Sequence, residues 1–249
     1  MLNKLVKSIT YSFYYKLTLL YLSSSLLVNL LNSLYPHLAP TPHRWYNNSN
    51  LNISQKEVST MESNITIRNA KLSDAPRILE IYSYYVENTV ITFEYDVPTL
   101  EEFENRMKDI MKKYPYLVIE RDGKIEGYAY AHAFVGRAAY DWASELTIYL
   151  DHNAKKCGLG RKIYEALAER LKDMGILNLY ACIGYPKVED EYLNKNSAQF
   201  HEHLGFRLCG TFENCGYKFN RWYDMIWMEK IIGEHTADQA PIKPYSYTE

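Results

Sequence analysis

The run from Glu145 to Gly175 constrains this chain most, because it reads as a strand, a glycine turn and a helix in immediate succession. From Leu146 to Leu150 apolar and other residues alternate. Leu146, Ile148 and Leu150 therefore share one face, and Glu145, Thr147 and Tyr149 the other. Ile163, Leu167, Leu171 and Met174 then recur near helical spacing, and Gly175 supplies the stop. Between the two lies Lys155-Lys156-Cys157-Gly158-Leu159-Gly160-Arg161-Lys162, where Gly158 and Gly160 leave the backbone bare at a helix start flanked by cations. Unpaired amides, the positive end of the helix dipole and basic side chains together favour a phosphate or pyrophosphate.

An ordinary tight turn with solvated lysines fits the same letters, so the motif needs company to carry a function. Its spacing lacks the Gly-x-x-x-x-Gly-Lys-Ser/Thr of a nucleoside-triphosphate loop and the Gly-x-Gly-x-x-Gly of a dinucleotide turn. Other phosphate-bearing cofactors remain, coenzyme A among them.

Charge is distributed unevenly. Residues 1–60 hold one acid, Glu57, against five bases (Lys4, Lys7, Lys16, Arg44, Lys56), whereas residues 61–249 hold 29 acids against 23 bases. The near-neutral total thus hides a basic leader on an acidic domain, which gives no reason to expect nucleic acid as a partner. Within the leader, Leu17–Tyr35 is uncharged and about long enough to span a bilayer, although Ser23, Ser24, Ser25, Asn29 and Asn32 weaken it. Read as an anchor behind Lys4, Lys7 and Lys16, it would place the following domain outside the cytoplasm. The alternative adopted here is that the natural start is Met61, because Lys56-Glu57-Val58 can be encoded by a ribosome-binding sequence at a suitable distance. The expectation is then a leader over 1–60 outside the fold, a domain over 61–233 and a flexible tail over 234–249, with the membrane a partner only if the leader is made.

From Asn64 the order is that of an α+β domain. Asn64–Asn69 suits a first strand, and Ser73 can cap a helix over Asp74–Asn88. Thr99 and Glu102 have capping-box spacing for a second helix to about Lys113. Tyr116–Arg121 and Lys124–Ala133 are strands joined at Asp122-Gly123, a hairpin signal. After the central unit come Leu177–Ile183, a helix from about Asn194 to His203, and strands over Phe206–Phe212 and Trp222–Ile231. Cys157, Cys182, Cys209 and Cys215 lack zinc spacing and read as free thiols. His201 and His203, two apart on a helix, point to different faces and do not suit a metal, so none is expected.

Lys155-x-x-Gly158-x-Gly160 resembles the Arg/Gln-x-x-Gly-x-Gly/Ala motif of GNAT-type N-acetyltransferases, with lysine in the first place. Arg137–Trp142 and Ser144–Tyr149 resemble the segment before that motif in phosphinothricin and methionine-sulfone acetyltransferases. Asn194-x-x-Ser197-x-x-x-His201-x-x-x-Gly205-Phe206 and Gly216-Tyr217-Lys218-x-x-x-Trp222-x-Asp224 resemble two later runs of theirs, in collinear order over roughly residues 64–232. The resemblance implies a GNAT fold: a mixed, mostly antiparallel central sheet with a splayed parallel pair, flanked by about four helices. It also implies acetyl-CoA as co-substrate, a small-molecule amine as acceptor, a cytoplasmic setting and a homodimer.

Site residues follow from the same match. Glu145 falls at the position of the base or water-activating carboxylate, and His201 where many members have a tyrosine acid. The backbone of Thr147, Ile148 and Tyr149 would bind the pantetheine amides. Lys155, Lys156, Cys157, Gly158, Leu159, Gly160 and Arg161 would hold the pyrophosphate, and Asn194 contacts the cofactor. Phe93, Phe134, Val135, Gly136, Ser144 and Leu146 fall at acceptor positions. Phe134 stands where the phosphinothricin enzymes tend to have tryptophan, Glu94 where some have arginine, and Tyr185–Leu193 is longer than their connection. A peptide N-terminal acetyltransferase and a non-catalytic acetyl-CoA-binding module are the competing readings.

Overall fold

The computed structural model describes residues 64–154 and 158–247. The leader, Met61 and Lys155, Lys156 and Cys157 lie outside the described residues. Among the described residues no helix is long and apolar enough to cross a membrane.

Seven strands form one sheet: β1 (Ile65–Asn69), β2 (Tyr116–Arg121), β3 (Lys124–Ala133), β4 (Ala143–Leu150), β5 (Asn178–Tyr185), β6 (Arg207–Lys218) and β7 (Arg221–Ile231). Their spatial order is β1-β2-β3-β4-β5-β7-β6, antiparallel throughout except for the parallel β4–β5 pair. Among the described residues four α-helices accompany it: α1 (Ala75–Asn88), α2 (Leu100–Met111), α3 (Leu159–Met174) and α4 (Asn196–His203). This is the expected α+β arrangement, and its local causes are readable. Asp122 and Gly123 both take positive φ, 52° and 80°, as a tight hairpin turn requires. Thr99 and Glu102 form a complete capping box at the start of α2. Gly175 closes α3 with its N–H on the Lys172 carbonyl while Ile176 N–H reaches Leu171 at 3.0 Å, a Schellman ending.

Alternation along β4 divides the sheet's two faces. Leu146 joins Leu117, Ile119, Ala129 and Leu179 in a core against Ile163, Leu167 and Leu171 of α3. On the opposite face Tyr149 meets Tyr82 and Tyr85 of α1, and Tyr116, Tyr128 and Tyr130 stack beside them. Each fully buried leucine or isoleucine contributes roughly 1.5–3 kcal/mol relative to exposure, so α3 is held by its apolar stripe.

Three expectations need correction. A 3-10 turn over Leu72–Asp74 precedes α1, and Asp74, not Ser73, is the N-cap. The Asp74 carboxylate is taken by Arg68 and the Lys71 N–H, and Pro76 opens the helix instead of a side-chain cap. β6 runs on to Lys218: Glu213-Asn214-Cys215-Gly216 looks like a turn but forms a bulge, with Asn214 at φ 48° and its N–H on Asp224. The residues read as a loose tail carry no helix or strand, yet they are tied down. Trp142 Nε1 donates to the Ala240 carbonyl, Lys243 and Tyr245 N–H to Met174 and Lys113, and Ile242 and Tyr245 pack on the main core.

Candidate active site

The parallel pair is short. β4 and β5 are in register at Ala143↔Asn178, Ser144↔Leu179 and Glu145↔Tyr180, and among the described residues the pairing ends there. β4 nevertheless stays paired with β3 as far as Gly127↔Leu150. From Leu146 onward β4 therefore turns an open edge toward β5, and alternate peptide groups of Leu146–Leu150 point into the gap. Thr147, Ile148 and Tyr149 lie on this edge.

Gly158 caps α3 at φ 70°, a left-handed conformation that a side chain would strain. A helix leaves its first N–H groups without intrahelical partners. Here Lys162 N–H is the one that reaches back to the Gly158 carbonyl, at 3.2 Å. Beside this turn is a hollow of about 240 Å³ lined by Leu150, Gly158, Leu159, Gly160, Arg161, Phe200 and His203. A Cβ at Gly160 would stand 3.4 Å from both Leu150 and Phe200, so bare backbone lets α3 approach β4 and α4. The residues present suit a phosphate-bearing cofactor: open amides, a helix start and Arg161 at one hollow. Asn194 is exposed and its Oδ1 accepts from Asn196 N–H at the entry to α4.

Glu145 is the last paired residue before the strands part, with its side chain 20% exposed. Burial raises its pKa above the ordinary carboxylate value, and the nearby His132 pulls the other way. His132 is its partner across β3–β4, with Nε2 3.7 Å from the carboxylate. Sequence reasoning missed His132, although its place in the β3 alternation was available.

His201 is 3% exposed. Its Nδ1 lies 2.7 Å from the Ser197 carbonyl, which can only accept, so Nδ1 carries the proton and Nε2 accepts from the Tyr164 hydroxyl at 2.9 Å. Burial lowers the histidine's pKa and so favours this neutral form. Neither ring nitrogen is free, and the group that continues the chain of bonds is Tyr164. Burial, with Glu145 adding, keeps the Tyr164 phenol protonated. Sequence reasoning did not single out Tyr164, because its pairing with a residue 37 positions away has no local signal.

The acceptor candidates divide. Phe134 stacks on Tyr180, the strand partner of Glu145, at 4.1 Å and meets Trp227 edge-on, with Val135 half-buried and Gly136 exposed after it. Phe93 comes from the α1–α2 loop and seats against Gly184 and Gly216. Ser144 and Leu146 go elsewhere: both are buried on the face opposite Glu145, Leu146 within the α3 core, because strand alternation turns them away. Glu94 pairs with Arg106 at 2.6 Å. The long connection before Asn194 is pinned through its own acids, for Asp190 takes Tyr223 and Arg221, Glu191 takes Arg221, and Glu189 takes Lys195 N–H. A larger groove of about 600 Å³ lies against Arg68, Asp74, Arg77 and Asp151, whose charges already pair with one another or with Glu120. Cys182, Cys209 and Cys215 are unpaired.

Comparison with known proteins adds the following. Residues 67–227 match the family model described as an acetyltransferase (GNAT) domain. A phosphinothricin N-acetyltransferase of Streptomyces viridochromogenes is 31% identical over 180 residues, covering 72% of this chain and 94% of its own. An L-methionine sulfoximine/L-methionine sulfone acetyltransferase of Salmonella typhimurium is 30% identical, covering 71% and 99%. The crystal structure of a GNAT superfamily phosphinothricin acetyltransferase from Sinorhizobium meliloti in complex with AcCoA superposes with a TM-score of 0.64 at 35% identity, covering 72% of this chain and 92% of that one.

Proposed function

Since the chain belongs to the GNAT acetyltransferase family and is an acyltransferase, we propose that it moves an acetyl group from acetyl-CoA to the primary amine of a small amino-acid-like molecule, by direct attack in a ternary complex. The observation that carries this reading is the position of Glu145 at the point where β4 and β5 part. A carboxylate stands there beside an open strand edge, one strand and one turn from a phosphate-suited helix start.

Acetyl-CoA, when bound, supplies the thioester carbonyl that the amine attacks. The α3 turn over Gly158–Arg161, with Lys155, Lys156 and Cys157 before it, would hold its pyrophosphate, and the β4 edge its amides. Asn194 would contact it from the α4 side. Glu145 takes the proton that the substrate ammonium must lose. A base is more effective as its pKa approaches the working pH, and burial moves Glu145 in that direction. The departing thiolate takes up the proton that the attacking nitrogen sheds as the amide forms. His201, at the position where many family members have the acid, accepts the Tyr164 hydrogen bond, and the pair braces α3 against α4 beside the site. Phe93 and Phe134 would wall the acceptor pocket.

Because acetyl-CoA is a cytoplasmic metabolite, the same reading expects a cytoplasmic enzyme, and the family resemblance expects a homodimer. Light scattering of the purified chain checks the latter. The test of function is release of free thiol from acetyl-CoA against a panel of amino acids and other small amines, beside calorimetry with coenzyme A. Thiol release with a small amine is expected. Coenzyme binding without release for any amine would make the chain a binding module, and no coenzyme binding would end the proposal.

A further inference from the structure

Lys218 closes β6 with its side chain turned inward. It is 2% exposed, and Nζ donates to three backbone carbonyls: Val86 at 2.7 Å, Thr89 at 2.9 Å and Thr92 at 2.9 Å. An ammonium has three donors, so the set is complete and peptide oxygens replace its water. Val86 lies in the last turn of α1 and Thr89 is its C-cap, where the helix dipole favours a cation and carbonyls lack intrahelical partners. Thr92 belongs to the loop over 89–98, which joins α1 to α2 and carries Phe93.

That loop is gripped from the same side at other points. Gly216, two residues before Lys218, leaves room for the Phe93 ring; a Cβ there would lie 2.1 Å from it. On the other side Phe93 stands 3.5 Å from the Cβ position of Gly184 in β5. Val90 N–H donates to the Tyr192 carbonyl at 3.1 Å, and the Tyr95 hydroxyl to the Tyr217 carbonyl. Val90, Leu193 and Tyr223 form a small core of their own, with Phe93, Tyr192 and Phe219 packed on it. The loop, the connection before Asn194 and the β6–β7 turn thus share one cluster. A methionine would fill the space of Lys218 without desolvating a charge, so packing does not account for an ammonium here. Three peptide carbonyls held in one geometry do.

We propose that Lys218 is a positioning residue for the acceptor site, locking the 89–98 loop so that Phe93 sits between Gly184 and Gly216 and sets the fit of the incoming amine. The inference rests on the reading of Phe93 as a wall of the acceptor pocket. It predicts a split in the kinetics that general loss of structure would not produce.

The experiment is steady-state thiol release by the purified full chain with its best acceptor, varying amine and acetyl-CoA separately. Lys218→Met should raise KM for the amine about tenfold or more while KM for acetyl-CoA stays within about twofold. Gly216→Ala keeps the lysine but displaces the Phe93 ring, and should give the same split; Lys218→Gln, which keeps two of the three donors, replaces Lys218→Met if the latter does not fold and should raise the amine KM in the same way. Phe93→Ala separates the two layers. An unchanged amine KM in Phe93→Ala would overturn the reading of Phe93 itself. A raised amine KM in Phe93→Ala, with parallel changes in both KM values or none in the folded Lys218 variant, would overturn the role of Lys218 alone.

Discussion

Replacing Glu145 by glutamine keeps the side chain's shape and removes its ability to accept a proton. The glycine turn and the open edge of β4 are untouched, so KM for acetyl-CoA should stay near its original value. Turnover should fall roughly 10²–10⁴-fold if this carboxylate is the base, the usual contribution of such a group. At 1.36 kcal/mol per decade that is about 3–5 kcal/mol of barrier. The pH profile gives a sharper test. Burial raises the Glu145 pKa, so the acid limb of kcat/KM should lie above the ordinary carboxylate value, activity rising as pH increases through it.

His132 supplies the second half of the test. Its Nε2 is 3.7 Å from the carboxylate, but its side chain is 37% exposed. Unit charges at such a distance interact by about 1 kcal/mol in bulk water and about 4 kcal/mol near a protein surface, and solvent places this pair at the low end. Because the charge of His132 favours the ionised carboxylate, His132→Ala should move the acid limb upward. Thiol release followed from about pH 5 to about pH 9 measures both variants. A Glu145→Gln enzyme within tenfold of the parent or still showing the limb would remove Glu145 from the mechanism, as would a limb that moves down in His132→Ala.

Three further outcomes are expected. Tyr164→Phe leaves His201 Nε2 buried without its donor and should cost about 1–3 kcal/mol of stability; an unchanged melting temperature would show that the pair does not brace the two helices. Because burial lowers the His201 pKa, the unfolded chain takes up a proton first, so the stability this residue contributes is complete above about pH 6.5 and is lost below it; His201→Gln should flatten that part of a melting-temperature profile. Ending the chain at Gly233 removes the bonds of Trp142, Lys243 and Tyr245, and should lower Tm by several degrees in calorimetry, about 2–4 °C for each kcal/mol lost.

What the sequence disclosed was whatever is decided within a few residues. Tyr116–Arg121 and Lys124–Ala133 have the bounds read from alternation, because the Asp122-Gly123 turn fixes where each must end. Thr99 and Glu102 find each other three residues apart. The glycine turn and Gly175 bracket α3 for the same reason. What stayed hidden depends on partners far along the chain. Ser73 does not cap α1 because it lies inside the 3-10 turn over Leu72–Asp74 that precedes the helix. The bulge at Asn214 needs Asp224 from the next strand, and the tail has no periodicity because single residues, not a face, tie it down. At the site, Glu145 was legible but His132, Tyr164 and Lys218 were not. Each is defined by a neighbour across the sheet or across the domain.

The parting of β4 and β5 joins the fold to the chemistry. An unpaired strand edge inside a sheet is a liability, since its amide and carbonyl groups must find water or another chain. Here the edge is flanked by α3 and α4, which leave Gly158, Gly160 and Arg161 at one end of it. On the proposed function, a ligand with peptide-like amides would satisfy the strand while its phosphates reached the helix start, so a cofactor built from both parts would complete the sheet. The reacting carbon would then lie where pairing stops, and the last paired residue on β4 is Glu145. Moving the break by one residue would place Ser144 or Leu146 at the junction, and both are buried on the face opposite Glu145. The alternation of β4 and the length of its pairing with β5 thus have to agree for a carboxylate to stand at the opening, and in this chain they do.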